Sequence, residues 1–423
     1  MDAILIQSAQ LLYPNHSLDG QKVHVLIEGG IIVDIRPFKF DDLPKNYQII
    51  DAEGWVLAPG FFDLNVNFGE PGLETKEDIQ TGAAAAAAGG FTGVAVQPNT
   101  SPAIQSRAEV SLILNSAKDL LVDVLPIGAL SINRKGEELT EMYDMHTHGA
   151  VAFSDGDHSV QQAGLMSRAL LYAHGFEGKV MSFAQDDSIV GENIMNEGEM
   201  STYLGIKGSP SLGESMRVAR DLYLAEYNET SIHFSTLSTA ESIRLVKEAK
   251  QKGIKVSCDV AAHHLIWTDE YVKDFNSQYK VIPPLRSEED RRALLQGVKE
   301  GVIDCIVSQH TPHEVEYKNV EFQIAEPGII GLQTLFPLLI AVGLDLKTIV
   351  EKLSFAPRNI LNLPVPYIKE NEEANLILID PKKKWILDER TNKSKAHNSP
   401  FWQKELTGQV RAIFNNKKHK IFE

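Results

Sequence analysis

Apolar and polar positions fall into two textures along this chain. Between residues 55 and 373, short apolar runs alternate with longer stretches in which apolar residues recur every three or four positions, the signature of strands alternating with amphipathic helices. The strand-like runs are Leu57–Asn67, Thr92–Pro98, Val122–Leu130, Gly149–Asp155, Lys179–Gln185, Thr230–Ser238, Ile254–Ala261 and Val302–His310. Helical periodicity marks Glu214–Tyr227, Ala240–Lys252 and Glu288–Glu300. Alternating strand–helix units predict a parallel sheet, and eight of them predict a closed (β/α)8 barrel over residues 55–373. The two ends read differently. Ala3–Ile6, Val23–Glu28, Ile31–Ile35 and Gln48–Asp51 at the start, and Ala374–Ile379, Val410–Phe414 and His419–Phe422 at the finish, are β-like, with Gly29-Gly30 as a hairpin turn. Residues 1–54 and 374–423 therefore predict one small composite β domain, a sandwich built from both termini.

The stretch Ala58–Thr100 organises the rest. Pro59-Gly60 interrupts its apolar run, and Asn65 and Asn67, two apart, share a face at the strand end. Thr75 and Asp78 read as a capping-box start, Ala83–Ala88 as a tightly packed helix face, and Gly89-Gly90 as the stop before the next strand.

Composition narrows the picture only modestly. The 423 residues are 43% hydrophobic and 23% charged, as in a soluble globular protein. No apolar run has membrane-spanning length and no signal-like leader is visible, so the cytoplasm is expected. The formal charge of −16 argues against nucleic acid and anionic membranes as partners. Cys258 and Cys305 lie in apolar runs and read as buried free thiols.

On its motifs the chain resembles the dihydroorotases of the amidohydrolase superfamily, TIM-type barrels carrying such a terminal domain. Pro59-Gly60-Phe61, Asp63, Glu70-Pro71-Gly72, Lys76-Glu77-Asp78, Thr81-Gly82 and Pro98-Asn99-Thr100 match the opening unit of that family, and Asn398-Ser399-Pro400-Phe401 with Gly408 matches its close. The resemblance implies zinc at the C-terminal ends of the strands, lowering the pKa of a bound water and polarising an amide carbonyl. It also places the metal ligands, and most have been exchanged. The two strand-one histidines are Asn65 and Asn67. The strand-five histidine is Phe183, and the strand-six histidine is Thr236. Of the paired acids on strand four only Asp155 remains, followed by Gly156, and Gln309 stands for the catalytic aspartate of strand eight. Carboxamides, a phenyl ring and a hydroxyl hold zinc poorly, and neither Gln309 nor Asn65 carries protons near neutral pH. On the substrate side the family arginine is Gly69 and the family asparagine is Ile282, while Asn99, His313, Pro327 and Gly328 are kept.

Asp155, His310 and His313 are the remaining candidates for chemistry. A histidine beside a barrel rim is as often a structural hydrogen-bonding group, however, and His263-His264 reads as packing. His146 and His148, before strand four, read as surface polarity. Three functional readings follow from the resemblance. The first is a dihydroorotase homologue of pyrimidine biosynthesis that is metal-free and inactive, a structural or regulatory partner of aspartate transcarbamoylase and a homo-oligomer. The second is an active dihydroorotase, interconverting N-carbamoyl-L-aspartate and dihydroorotate, or a related cyclic-amide hydrolase, with an atypical site and zinc as its cofactor. The third is a small-molecule binding protein without turnover.

Overall fold

The computed structural model describes residues 3–14, 16–40, 47–192 and 194–422. Parts of the 1–54 and 374–423 segments, at 1–2, 15, 41–46 and 423, lie outside the described residues. The predicted barrel is present. Its strands in order are Phe61–Val66, Phe91–Val96, Asp123–Gly128, Ala152–Phe153, Met181–Phe183, Ile232–Ser235, Val256–Ala261 and Cys305–Val307. The first four pair in parallel in that order, as do the last four. Single parallel bridges, Phe153 to Val180 and Val66 to His310, join the two arcs and close the ring.

Side chains alternate across these strands, and the barrel interior is filled accordingly. Phe62, Leu64, Ala95, Ile127, Ala152, Met181, Ala261, Cys305 and Val307 form one buried inner cluster. The outward set, with Phe61, Val94, Val96 and Val124, packs under the surrounding helices. Both cysteines are free and buried, as their apolar runs suggest. The helices Leu212–Tyr227, Ala240–Gln251 and Glu288–Glu300 lie within two residues of the predicted stretches.

The first helix, Ile79–Ala88, corrects a detail. Asp78 is its N-cap, but the reciprocal partner is Thr81, whose amide donates to Asp78 Oδ1 at 2.8 Å. Thr75 instead donates to Glu314 Oε1 at 2.6 Å, tying the loop after strand one to the loop after strand eight. A second correction concerns the run Leu57–Asn67. It is two strands, not one: Val56–Pro59 pairs with Ala3–Leu11 and Leu376–Ile386, and after Gly60 the chain re-enters as the first barrel strand. The terminal strands thus make one eight-stranded sheet with a core of its own, including Ile4, Ile6, Val25, Leu376, Leu378 and Phe414. No helix among the described residues is long and apolar enough to cross a membrane.

Candidate site at the barrel mouth

A pairing irregularity between Asp63 and Val66 aims the site. Bulges of this kind redirect side chains at barrel rims. Leu64 packs into the interior, whereas Asn65 and Asn67 line the cavity at the C-terminal ends of the strands. Asp63 fixes the geometry from behind, accepting the Asn65 amide and the Ser308 amide, each at 2.9 Å, so that strands one and eight hold together. Its burial pushes the carboxyl up to about 7 against those hydrogen bonds.

All five exchanged ligand positions that end a strand face this one cavity, which Asn65, Asn67, Phe183, Thr236 and Gln309 line with Asn99, Ile282, Pro327 and Gly328. They bond to one another and to the backbone. Asn65 Nδ2 donates to Thr236 Oγ1 at 3.2 Å. Asn67 Nδ2 donates to the His310 carbonyl at 3.2 Å and to Thr311 Oγ1 at 3.0 Å. Gln309 Nε2 donates to the Ile282 carbonyl at 2.7 Å. Thr236 and Gln309 hold φ of 55° and 48°, left-handed values rare outside glycine, so the backbone is strained at both positions. Thr236 is kept there by Asp259, which accepts its amide at 2.7 Å and holds His233 Nε2 at 2.9 Å.

The three candidates for chemistry are elsewhere. The Asp155 carboxylate accepts the Ser131 amide at 2.8 Å and the Ser131 hydroxyl, and it does not line the cavity. Burial raises its pKa, opposed by those Ser131 bonds. His310 is 1% exposed, with Nδ1 accepting from the Gly331 amide at 3.2 Å and Nε2 lying 3.5 Å from Glu77, behind the mouth. His313 bonds the Pro327 carbonyl through Nε2 at 3.0 Å and lines a neighbouring groove with Lys76 and Lys318. Burial, followed by the Lys76 charge, lowers its pKa to about 4, so it is a neutral structural donor near pH 7. His263 and His264 are buried against each other, 4.6 Å between ring centres, and His148 is bonded to the Asp144 carbonyl within its own helix.

Sequence reasoning missed Arg134. It follows strand three and reaches across the mouth, donating to Asn99 Oδ1 and, at 2.8 Å, to Asp157. Asn99 Nδ2 in turn donates to Asn67 Oδ1 at 2.8 Å, so the kept asparagine is engaged at both ends by protein. A Cβ on Gly156, where the family's second acid belongs, would lie 1.9 Å from Asn99 Oδ1, because the Asn99–Arg134 pair occupies that space. At Gly69 a Cβ would meet the Leu73 carbonyl oxygen at 2.0 Å, so this loop leaves no room for a side chain there. Gln97 and Ser235 also line the cavity, and Gln97 Oε1 and Ser235 Oγ lack partners there. Gln97 stands two residues before Asn99, a spacing that could have flagged it.

The residues do not fit zinc. No imidazole lines the cavity among the described residues, and its one carboxylate, Asp157, is paired with Arg134. No group of three or more His, Cys, Asp or Glu among the described residues is placed to hold a metal ion. The cavity is about 60 Å³. That is room for a few waters and well under the ~150 Å³ that accepts a six-membered ring.

The Dihydro-orotase-like family profile matches residues 54–242. The chain is 41% identical to a dihydroorotase of Geotalea daltonii, over 96% of each protein. It is also 41% identical to a dihydroorotase of Caldicellulosiruptor saccharolyticus, over 98% of this chain and 97% of the relative. Among solved structures, the L-hydantoinase (dihydropyrimidinase) from Arthrobacter aurescens superposes with a TM-score of 0.84 over 100% of this chain and 98% of that one, at 21% identity, a likeness of fold.

Proposed function

This chain belongs to the dihydroorotase family, and we propose that it is a member that does not perform metal-dependent hydrolysis and serves instead as a structural or regulatory partner. The observation that carries this is the donor set at the mouth: amides, a phenyl ring and hydroxyls line the cavity, and its one carboxylate is neutralised by Arg134. Nothing there would hold a Lewis acid or move a proton near neutral pH. By the family resemblance the partner is aspartate transcarbamoylase, with the chain itself a homo-oligomer. A catalytically idle barrel whose framework is intact suits such a role.

An active dihydroorotase is the second reading. Relatives of that name at 41% identity over nearly the whole chain favour it. A binder of small molecules has the cavity of about 60 Å³ against it. Purified protein, stripped with chelator and reloaded with zinc, decides between the first two. The expected result is zinc well below one equivalent by mass spectrometry and no ring opening of dihydroorotate. Stoichiometric zinc with turnover that survives repeated purification establishes the second reading. Co-purification of tagged chain with aspartate transcarbamoylase tests the partner, and its failure removes the scaffold half of the proposal.

A further inference from the structure

A second cleft, far larger than the mouth, lies where the barrel meets the terminal sheet. It measures about 380 Å³ and is bounded by the end of the first barrel helix at Ala88 and Gly89, the helix Leu335–Ala341, and the terminal strands. Seams between packed layers are common places for small-molecule sites of this volume. Its lining combines three cations, Arg390, Lys393 and Lys420, with three aromatic rings, Phe336, Trp385 and Phe422, and no carboxylate among the described residues.

That absence of acids is unusual in a chain of formal charge −16. The neighbouring acids have partners of their own, and Asp388 also feels the Arg390 charge. Asp388 accepts the Arg390 amide at 2.9 Å and the Thr391 amide at 3.1 Å, and Glu389 lies 3.7 Å from His397. Lys393 Nζ gives one proton to the Arg390 carbonyl at 2.9 Å and keeps its others free. Neither Arg390 nor Lys420 makes an ion pair or a side-chain hydrogen bond with another described residue, although Lys420 sits 5.6 Å from the Phe422 ring centre. Trp385 is oriented by its Nε1 donation to the Gly408 carbonyl at 2.8 Å.

We propose that this cleft binds a mononucleotide, the aromatic base lying against the rings and the phosphate against the three cations. The chemistry follows from the lining. The half-buried Trp385 and Phe422 rings offer stacking that any base can use, Phe336 being only 2% exposed, and a guanidinium with two ammonium groups offers charge-assisted donors to phosphate oxygens. An uncharged aromatic would leave Lys393 and Lys420 without an anion, and a bare anion would leave the rings unused. The site is distinct from the barrel mouth and does not depend on whether the mouth is active.

Calorimetric titration of the intact protein with AMP, CMP, GMP and UMP tests this, with adenosine, uridine and inorganic phosphate as separate arms and Trp385 fluorescence as a second readout. At least one nucleotide is expected to bind with Kd between about 10 μM and 1 mM, at least about tenfold tighter than its nucleoside or phosphate alone. Arg390→Ala and Lys420→Ala, both at exposed positions, are each expected to weaken binding about tenfold without moving the melting temperature. Three results overturn the proposal. They are no nucleotide binding up to about 5 mM, phosphate binding as tightly as every nucleotide, and nucleotide affinity unchanged in the Arg390→Ala/Lys420→Ala double variant.

Discussion

Two sets of polar residues meet at the C-terminal end of this barrel, one charged and behind the strand ends, the other neutral and in front of them. Behind, Glu214 accepts from the Ser238 amide, the Ser238 hydroxyl, the Thr239 amide and the Thr239 hydroxyl. Arg286 donates to Ser238 Oγ at 3.0 Å, Asn196 Oδ1 at 3.2 Å and the Ser209 carbonyl at 2.9 Å. Glu77 holds the Ser394 hydroxyl and, at 3.1 Å, the Lys395 amide, pinning the C-terminal segment to the first helix. In front, the side chains of Asn65, Asn67 and Gln309 make only neutral bonds, while Thr236 is tied to the Asp259 carboxylate behind it. Charges that organise loops thus sit behind the strand ends, and mostly neutral groups line the mouth.

The sharpest way to break this comparison is to cut the rear set. Glu214 and Arg286 are 3% and 4% exposed and share Ser238 as a bridge. Removing one leaves the other buried and uncompensated, so Glu214→Ala and Arg286→Ala are each expected to cost about 3–5 kcal/mol in urea unfolding. A loss below about 1 kcal/mol would mean that the rear charges are as dispensable as those of the mouth.

Acid probes the same scaffold through its histidines. Burial holds both His264 and His313 at about 4, well below the ordinary imidazole value. A depressed folded pKa gives stability that is present above the unfolded value and is lost as pH falls through the folded one. Stability should therefore drop between pH 6.5 and 4, by up to about 3 kcal/mol for each histidine. Asp63, raised to about 7, works in the opposite direction: its contribution is full below about 4 and declines as pH rises through 7. Urea midpoints at pH 4.5, 5.5 and 7 should show the histidine leg winning, and His313→Gln should flatten it. An unchanged slope in that variant would remove His313 from the account.

Much of this was legible beforehand. The alternation of runs located every barrel strand, because strand and helix periods differ so plainly in parallel architecture. The five exchanged positions Asn65, Asn67, Phe183, Thr236 and Gln309 could be read from their motifs, and the structure brings them to one cavity. What could not be read depends on facing and on through-space contact. One apolar run, Leu57–Asn67, serves two sheets, and only Gly60 hints at it. Asp155 turns to Ser131 instead of the mouth, and Arg134 crosses to Asn99 from another loop, a contact between residues 35 positions apart.

Restoring ligands sharpens the contrast from the other side. The variant carrying Asn65→His, Asn67→His, Phe183→His, Thr236→His and Gln309→Asp gathers four imidazoles and a carboxylate at one cavity, so zinc approaching one equivalent is expected. Ring opening should still be absent, because Asn99 with Arg134 fills the place of the second acid and no arginine awaits the substrate carboxylate. Adding Gly69→Arg is expected to lower stability by about 1–3 kcal/mol, since its Cβ meets the Leu73 carbonyl oxygen at 2.0 Å and the loop must move. Turnover in the five-fold variant alone would show that only ligands had been lost.

The smallest expected effect bears most directly on what the front set is worth. Asn67 donates to the His310 carbonyl and Thr311 Oγ1 and accepts from Asn99, three hydrogen bonds in one side chain. A count of bonds alone would rank Asn67→Ala beside Glu214→Ala. The environment argues otherwise, because every partner is neutral or keeps another bond, and the mouth already has room for a few waters to replace the lost amide. We expect Asn67→Ala to cost about 1 kcal/mol, a third or less of the Glu214 effect, in the same urea series. If the two variants lose equal stability, the mouth is as much a part of the folding scaffold as the charges behind it, and its neutral side chains were exchanged under a structural demand that its cavity volume does not reveal.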